Sequence, residues 1–437
     1  MRSTLVRLDA MPGGIRSYLR WYGAATLVWL LALWPLMIVD VWDESNIFLI
    51  LQSLPHSLPE RLALVWGQYY GLYRPLASSA LLLLDRLGFG LIGMRYFNAL
   101  LLVGAFGVLA IAMMDRWSID WRRALGFSLV ALFSSGALIA ATWFANIFDA
   151  CCLFLIALGI SRLTRERFVA AGLLFGLAFY CKEIAILAIP MIPWVMWRSR
   201  CLSLGALLRC FVPMVSLAIA YFAIRQHLIP LGTAGDIHQF AASAYWESLL
   251  TMAGGFWWQS TRFASGGPMW ASGLVMTLAA ALLLDGWRDR LLYALLLLLT
   301  SFACWGMFWP QGDTLISSFH FVGRLFLIPG TLALFVVVTG HGMRFPWLPW
   351  ILIVPAVFGA IGTGIDHARF QRMYAQIYAQ ATASGPDRVF TVNFGDKELN
   401  DGSRRLRIGN FPDADLQVSP KDGCLLRKDG SALYCAR

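Results

Sequence analysis

The sequence predicts an all-α, polytopic membrane protein with about 11 transmembrane helices and a small C-terminal appendage that is α/β or mostly β. Three observations predict it. Of 437 residues, 59% are hydrophobic and 14% charged, far less polar surface than a soluble chain of this length needs. Apolar runs recur along most of the chain, and the loops between them alternate between Arg-rich and Arg-poor. Beyond about Asp366 the composition turns abruptly polar.

The first long apolar run, 21–39, follows Arg2, Arg7, Arg16 and Arg20. It resembles a signal peptide in its flanking charge but is long enough to span, and further spans follow. Those are expected near 93–113, 124–142, 147–161, 168–181, 184–197, 204–223, 269–285, 291–309, 321–340 and 348–364. The shorter ones need help from loop residues to complete the roughly 20 residues of a crossing.

One set of loops holds Arg116, Arg122 and Arg123; Arg162, Arg165 and Arg167; Arg198, Arg200 and Arg209; Arg288 and Arg290; and Arg344. By the positive-inside rule these loops and residues 1–20 are cytoplasmic. Eleven spans then carry the C-terminus to the periplasmic side of a bacterial inner membrane. The same clustering explains the formal charge of +10 without a nucleic-acid partner.

Two loops on the opposite side, 40–92 and 224–268, are too long for turns. Within them Glu44–Leu54, Arg74–Gly88 and the aromatic stretch around AYWESLL are expected to lie as helices on the membrane surface. The transmembrane domain therefore covers 21–364, and 365–437 forms a small periplasmic domain. Its last 72 residues carry 11 basic and 9 acidic side chains. A helix, RFQRMYAQIYAQATA, leads into stretches such as DRVFTVNFG and RRLRIGNF that alternate like short strands. Cys424 and Cys435 lie in this tail and can bridge if it is periplasmic; the other six Cys serve as small apolar fillers.

Polar residues gather at the outer membrane edge. Asp40, Asp43 and Glu44 open the first outer loop, where three close carboxylates raise one another's proton affinity. They suit a general base or a cation site, or else a solvated helix entrance with Asp43 as N-cap. Tyr73 and Arg74 precede Pro75; Arg74 pairs with a phosphate or with those carboxylates, or snorkels to headgroups. Arg95 and Asn98, one turn apart, admit the same two readings.

Lys182 and Glu183 sit between apolar runs with no room for a solvated loop. They form a neutral couple, or Lys182 meets an anionic group at the outer face. Asp313, His320 and Arg324 make a third group, with Arg324 one turn after His320. Lys182, His320 and Arg324 together suit a lipid phosphate or diphosphate. No metal motif, nucleotide loop, dinucleotide fingerprint or Ser nucleophile elbow is present, and a divalent cation at the acidic cluster is compatible but not required.

The acidic start of the first outer loop, YRPL at 73–76, RYFN at 95–98, CKEIAILAIP at 181–190 and GRLFLIP at 323–329 resemble the GT-C superfamily of integral-membrane glycosyltransferases. The nearest branch is that of protein O-mannosyltransferases and their bacterial relatives, over about 35–340. The resemblance implies transfer of a sugar from a polyprenyl-phosphate-linked donor, on the periplasmic side, to a protein such as pilin or an envelope glycan. It assigns the base to Asp43, with Asp40 or Glu44 competing, and lipid-phosphate contacts to Lys182 and Arg324. Arg95 stands where many members carry His. A transporter or flippase for a lipid-linked glycan would need a polar path through the bundle, which the spans lack; a structural envelope subunit would tolerate neutral residues at the outer-edge charges.

Overall fold

The computed structural model describes residues 13–37, 57–67, 73–143, 146–228, 282–284, 286–304, 327–340, 347–354, 356–362, 364, 390–392, 416–419, 424–427 and 432–435. The described residues are mostly helical. Three helices are long and apolar enough to cross a membrane, four if one bent pair counts as a span.

Helix α1 (Gly13–Met37) starts eight residues before its apolar run. Its buried stripe of Tyr18, Tyr22, Trp29 and Leu33 faces the bundle, while Trp21, Leu27, Val28, Leu31 and Trp34 are exposed. Such an apolar outer face is costly in water and at home in hydrocarbon. The Tyr18 hydroxyl bonds Ser128 at 2.8 Å and that of Tyr22 donates to the Val103 carbonyl at 2.8 Å, so α1 is keyed to its neighbours by polar contacts inside an apolar seam.

Helices α2 (Leu58–Gly67) and α3 (Pro75–Arg86) form a small hairpin. The second falls within the helix expected at Arg74–Gly88, whereas the first went unforeseen. Pro75 at the first helical position fits α3, because its missing N–H would be unpaired there anyway. An Arg61–Asp85 ion pair at 2.6 Å and a Trp66–Ser79 hydrogen bond at 2.9 Å join the two helices.

Helix α4 (Leu91–Trp117) is followed by α5 (Trp121–Leu132) and α6 (Ser135–Thr142). The expected single span 124–142 is thus broken, with a bend of 57°. The sequence FSSG explains the break. Ser134 leaves the helix with extended backbone and accepts from the Ala137 N–H at 3.1 Å, capping a new helix rather than continuing the old one.

Helices α7 (Ile147–Thr164) and α8 (Phe168–Phe179) follow, then a 3₁₀ turn over Glu183–Leu187, α9 (Ala188–Arg198) and α10 (Leu204–Leu228). The expected span 184–197 therefore opens with a 3₁₀ turn. Helices α8 and α10 approach closely because Gly172 leaves room for the backbone of α10 and Gly176, four residues on, for its Leu217 side chain. A Cβ on Gly172 would stand 2.1 Å from the Cys210 carbonyl oxygen. On its far side α10 exposes Leu204, Leu208, Val212, Val215 and Ile219.

Helix α11 (Trp287–Cys304) and α12 (Leu327–Thr339) come next, then a further apolar helix at Leu348–Gly362. Every residue of α12 is buried, as its unbroken apolar sequence requires. Phe335 of α12 meets Trp117, Phe127 and Trp194 edge to face at 5.6–6.2 Å.

The Arg-rich turns come together at one end of the bundle. Arg116 pairs with Glu166 at 3.1 Å and donates to the Ser199 carbonyl, and Arg165 lies 3.6 Å from Asp115. Arg288 covers the Trp197 ring at 4.6 Å. Ser118, Glu166 and Arg200 turn the chain there in left-handed backbone, each just after a helix end.

In the tail, β1 (Phe390–Val392), β2 (Leu416–Ser419), β3 (Cys424–Arg427) and β4 (Ala432–Cys435) pair antiparallel in chain order. β1 falls within the expected strand DRVFTVNFG.

Candidate functional site

The end of the bundle away from the Arg-rich turns gathers charges that are distant in sequence. Helix α8 stops at Phe179, and Lys182 follows in extended backbone before Glu183 opens the 3₁₀ turn. Successive residues in extended chain diverge. The two side chains accordingly go to different partners, and the expected Lys182–Glu183 couple does not form.

The Lys182 ammonium instead meets both oxygens of Asp149 at 2.6 Å. Both residues are buried, at 7% and 3% exposure. Asp149 lies in the first turn of α7, where the helix dipole favours a negative charge. Cys152, one turn on, points its thiol at the Lys182 carbonyl at 3.9 Å.

Glu183 faces two guanidinium groups. Arg74 reaches its Oε2 at 3.2 Å, and Arg225, near the end of α10, lies 3.5 Å from its Oε1. The Tyr221 hydroxyl stands 3.0 Å from Oε1 and 3.0 Å from the Tyr73 carbonyl, with one proton to serve either acceptor. Burial pushes the Glu183 carboxyl up. Arg74, its own backbone N–H, Arg225 and Tyr221 together outweigh that and hold it at about 2, so it stays ionised.

Arg74 is placed by its neighbours as much as by its charge. It precedes Pro75, which keeps its backbone out of the helical region, and the Leu76 N–H donates to the Tyr180 carbonyl at 3.2 Å. Its guanidinium lies 5.2 Å from the Phe148 ring centroid, and its Nε is buried without an acceptor among the described residues. Tyr73 is buried and stacks on Tyr221 at 5.7 Å. The Arg225 Nε faces Glu183 Oε1 as an ion pair and makes no hydrogen bond among the described residues. Three cations thus face two carboxylates in this cluster among the described residues.

Arg95 and Asn98 lie at the same end but turn elsewhere. Arg95 is fully buried and donates to the Met37 carbonyl at the end of α1, so it does not snorkel. Asn98 donates to the carbonyls of Ala140 and Trp143, both at 3.2 Å, and fastens α4 to the end of α6. Both are joints between helices.

Tyr73, Arg74, Lys182 and Glu183 are therefore brought together. Asp40, Asp43, Glu44, Asp313, His320 and Arg324 lie outside the described residues, as does the expected surface helix at 44–54. Cys424 and Cys435 fall in β3 and β4. Asp149, Tyr221 and Arg225 were missed in the sequence reading. A lone carboxylate in the apolar run IFDACC is a signal for the first; Tyr221 offers none, since tyrosine near a membrane edge is ordinary.

Chemically, the cluster can hold an anion against Arg74 and Arg225 while Lys182, bound to both oxygens of Asp149, fixes the junction between α7 and α8. No group of three or more His, Cys, Asp or Glu suited to a metal ion occurs among the described residues. The chain matches no protein-family profile, no curated protein and no solved structure.

Proposed function

We propose that the chain is a GT-C-type glycosyltransferase that moves a sugar from a polyprenyl-phosphate-linked donor to a protein, such as pilin, or to an envelope glycan. In this reading it is an inner-membrane protein of eleven spans. The N-terminus is cytoplasmic, and the charge cluster and the C-terminal domain face the periplasm.

The observation that carries the proposal is the pair of guanidinium groups around Glu183. Arg74 and Arg225 share one carboxylate, Arg225 through its Nε at 3.5 Å, and the Arg74 Nε–H has no acceptor among the described residues. Buried charge at a membrane edge is costly without a partner, and a phosphate oxygen supplies one.

The acceptor hydroxyl attacks the anomeric carbon from the face opposite the lipid phosphate. The new C–O bond forms as the bond to the phosphate oxygen breaks, which inverts the centre. Asp43, or Asp40 or Glu44 beside it, takes the hydroxyl proton, and the departing polyprenyl phosphate is stabilised by Arg74, Arg225 and Arg324. Lys182 positions the site through Asp149 rather than meeting the phosphate itself, a change from the role the resemblance implies.

The test compares pilin, lipopolysaccharide and lipid-linked glycans in cells lacking the gene and in cells restored with wild-type, Asp43→Asn or Arg74→Gln protein. One glycan should lose a sugar in the null strain and in Asp43→Asn. Arg74→Gln, assayed in membranes at matched protein level, should slow transfer by about 100-fold. Wild-type glycans restored by both variants would overturn the proposal. A flippase would instead leave Asp43→Asn active and trap the donor on the cytoplasmic face in the null strain.

A further inference from the structure

The last two strands place Cys424 directly opposite Cys435 in the antiparallel ladder, and this register is carried by the backbone alone. Directly opposed residues in such a ladder have Cα atoms about 4.5–5.5 Å apart and share one face of the sheet. A disulfide asks for Cα atoms about 4.4–6.8 Å apart, so the register meets that requirement. The sequence between them, LLRKDGSALY, includes Asp, Gly and Ser in succession, residue types that favour a turn.

We propose that Cys424 and Cys435 form a disulfide that closes this terminal hairpin, and that the tail therefore resides in an oxidising compartment. The juxtaposition of the two residues across β3 and β4 is the geometric basis. The physical need is plain as well. The described strands are only three or four residues long, and short strands of this kind gain from a covalent bridge. Nothing comparable is needed in the bundle, where Cys151, Cys152, Cys181, Cys201 and Cys210 are free.

The bond forms by thiol–disulfide exchange with a disulfide-bearing oxidoreductase of the cell envelope. One Cys thiolate attacks the oxidant's disulfide to give a mixed disulfide. The second thiolate displaces it, forming the S–S bond and leaving the oxidant as a dithiol. Two thiols of this chain are oxidised and one disulfide of the partner is reduced. In a reducing cytosol the same pair stays as thiols, so the bond also reports the side of the membrane on which the tail lies.

The full-length protein is trapped with an alkylating reagent in intact cells, purified without reductant, unfolded and cut with trypsin. Cleavage after Lys421, Arg427 and Lys428 gives the segments 422–427 and 429–437, each with one Cys. The expected result is a single joined species that separates into the two peptides on reduction. In Cys424→Ser protein Cys435 should become fully alkylated, which shows that the link is to Cys424 and not to another chain. Recovery of both wild-type peptides already alkylated, without reduction, would overturn the proposal, whether the tail lies in the cytosol or the thiols fail to meet. This outcome is independent of any glycosyl transfer.

Discussion

The two ends of the helical bundle use the same residue types in opposite ways. At the Arg-rich end two ion pairs are shallow, with the Arg165 and Asp115 side chains 47% and 53% exposed at 3.6 Å and those of Arg116 and Glu166 33% and 55% exposed, although Asp289 there is buried against Trp194. At the other end the side chains of Lys182 and Asp149 are 9% and 5% exposed at 2.6 Å, and one Glu serves two Arg. Charge that only marks a membrane face can remain wet, because its effect depends on number and side. Charge withdrawn into the bundle must be matched group by group, and it fixes the relative positions of the helices that carry it. The second arrangement is the one suited to a binding site.

The largest effect expected from this contrast is at the buried pair. Lys182→Met removes the nearest counter-charge of the enclosed Asp149 carboxylate and should cost about 3–5 kcal/mol. Asp149→Leu alone should do comparable harm, whereas the double variant should recover most of the loss, since two apolar residues leave no charge stranded. Thermal unfolding of the three variants in one detergent is the measurement. Single losses under about 1 kcal/mol, with no recovery in the double, would mean the pair is no stronger than a surface one.

A smaller effect concerns how α10 is held against α8, and thus where Arg225 meets Glu183. Gly172→Leu drives a side chain into the Cys210 carbonyl and Pro213 and should cost about 1–3 kcal/mol. Gly205, at the Arg-rich start of α10, has nothing within 4 Å of an added Cβ. Gly205→Ala should therefore be neutral, or stabilise by up to about 1 kcal/mol through helix propensity. Equal melting temperatures for the two variants would show that the close approach is not required.

Much of the helical layout was legible because apolar runs and Arg-bearing turns are local signals. The helices at Leu91–Trp117, Ile147–Thr164 and Leu204–Leu228 each contain an expected span, Gly13–Met37 overlaps the expected span 21–39, and α3 falls within the helix expected at Arg74–Gly88. The break at Ser134 was hidden because hydropathy does not register a serine that caps. The charge cluster was half visible. Lys182 and Glu183 stood out as charges without a loop, but their partners lie 33 residues away at Asp149, 109 at Arg74 and 38 at Tyr221. Adjacent opposite charges suggested a couple, and only the extended backbone at Lys182 sends them apart.

The smallest effect on stability belongs to the Arg-rich end, and there the two measurable consequences should separate. Arg165→Gln removes a half-exposed ion pair and should change unfolding free energy by only about 0–1 kcal/mol, less as salt is added. Replacing Arg162, Arg165 and Arg167 together with Gln should likewise leave the melting temperature of the inserted protein nearly unchanged. The triple variant strips one turn of its charge, however, and orientation depends on how many cations each side carries. A reporter fused after Arg167 that is active only in the periplasm should then show a fraction of inverted molecules, while the same reporter in Arg165→Gln should not. If the triple variant instead loses several kcal/mol with its orientation intact, the turn is a structural joint like the cluster at the far end, and the contrast between the two ends disappears.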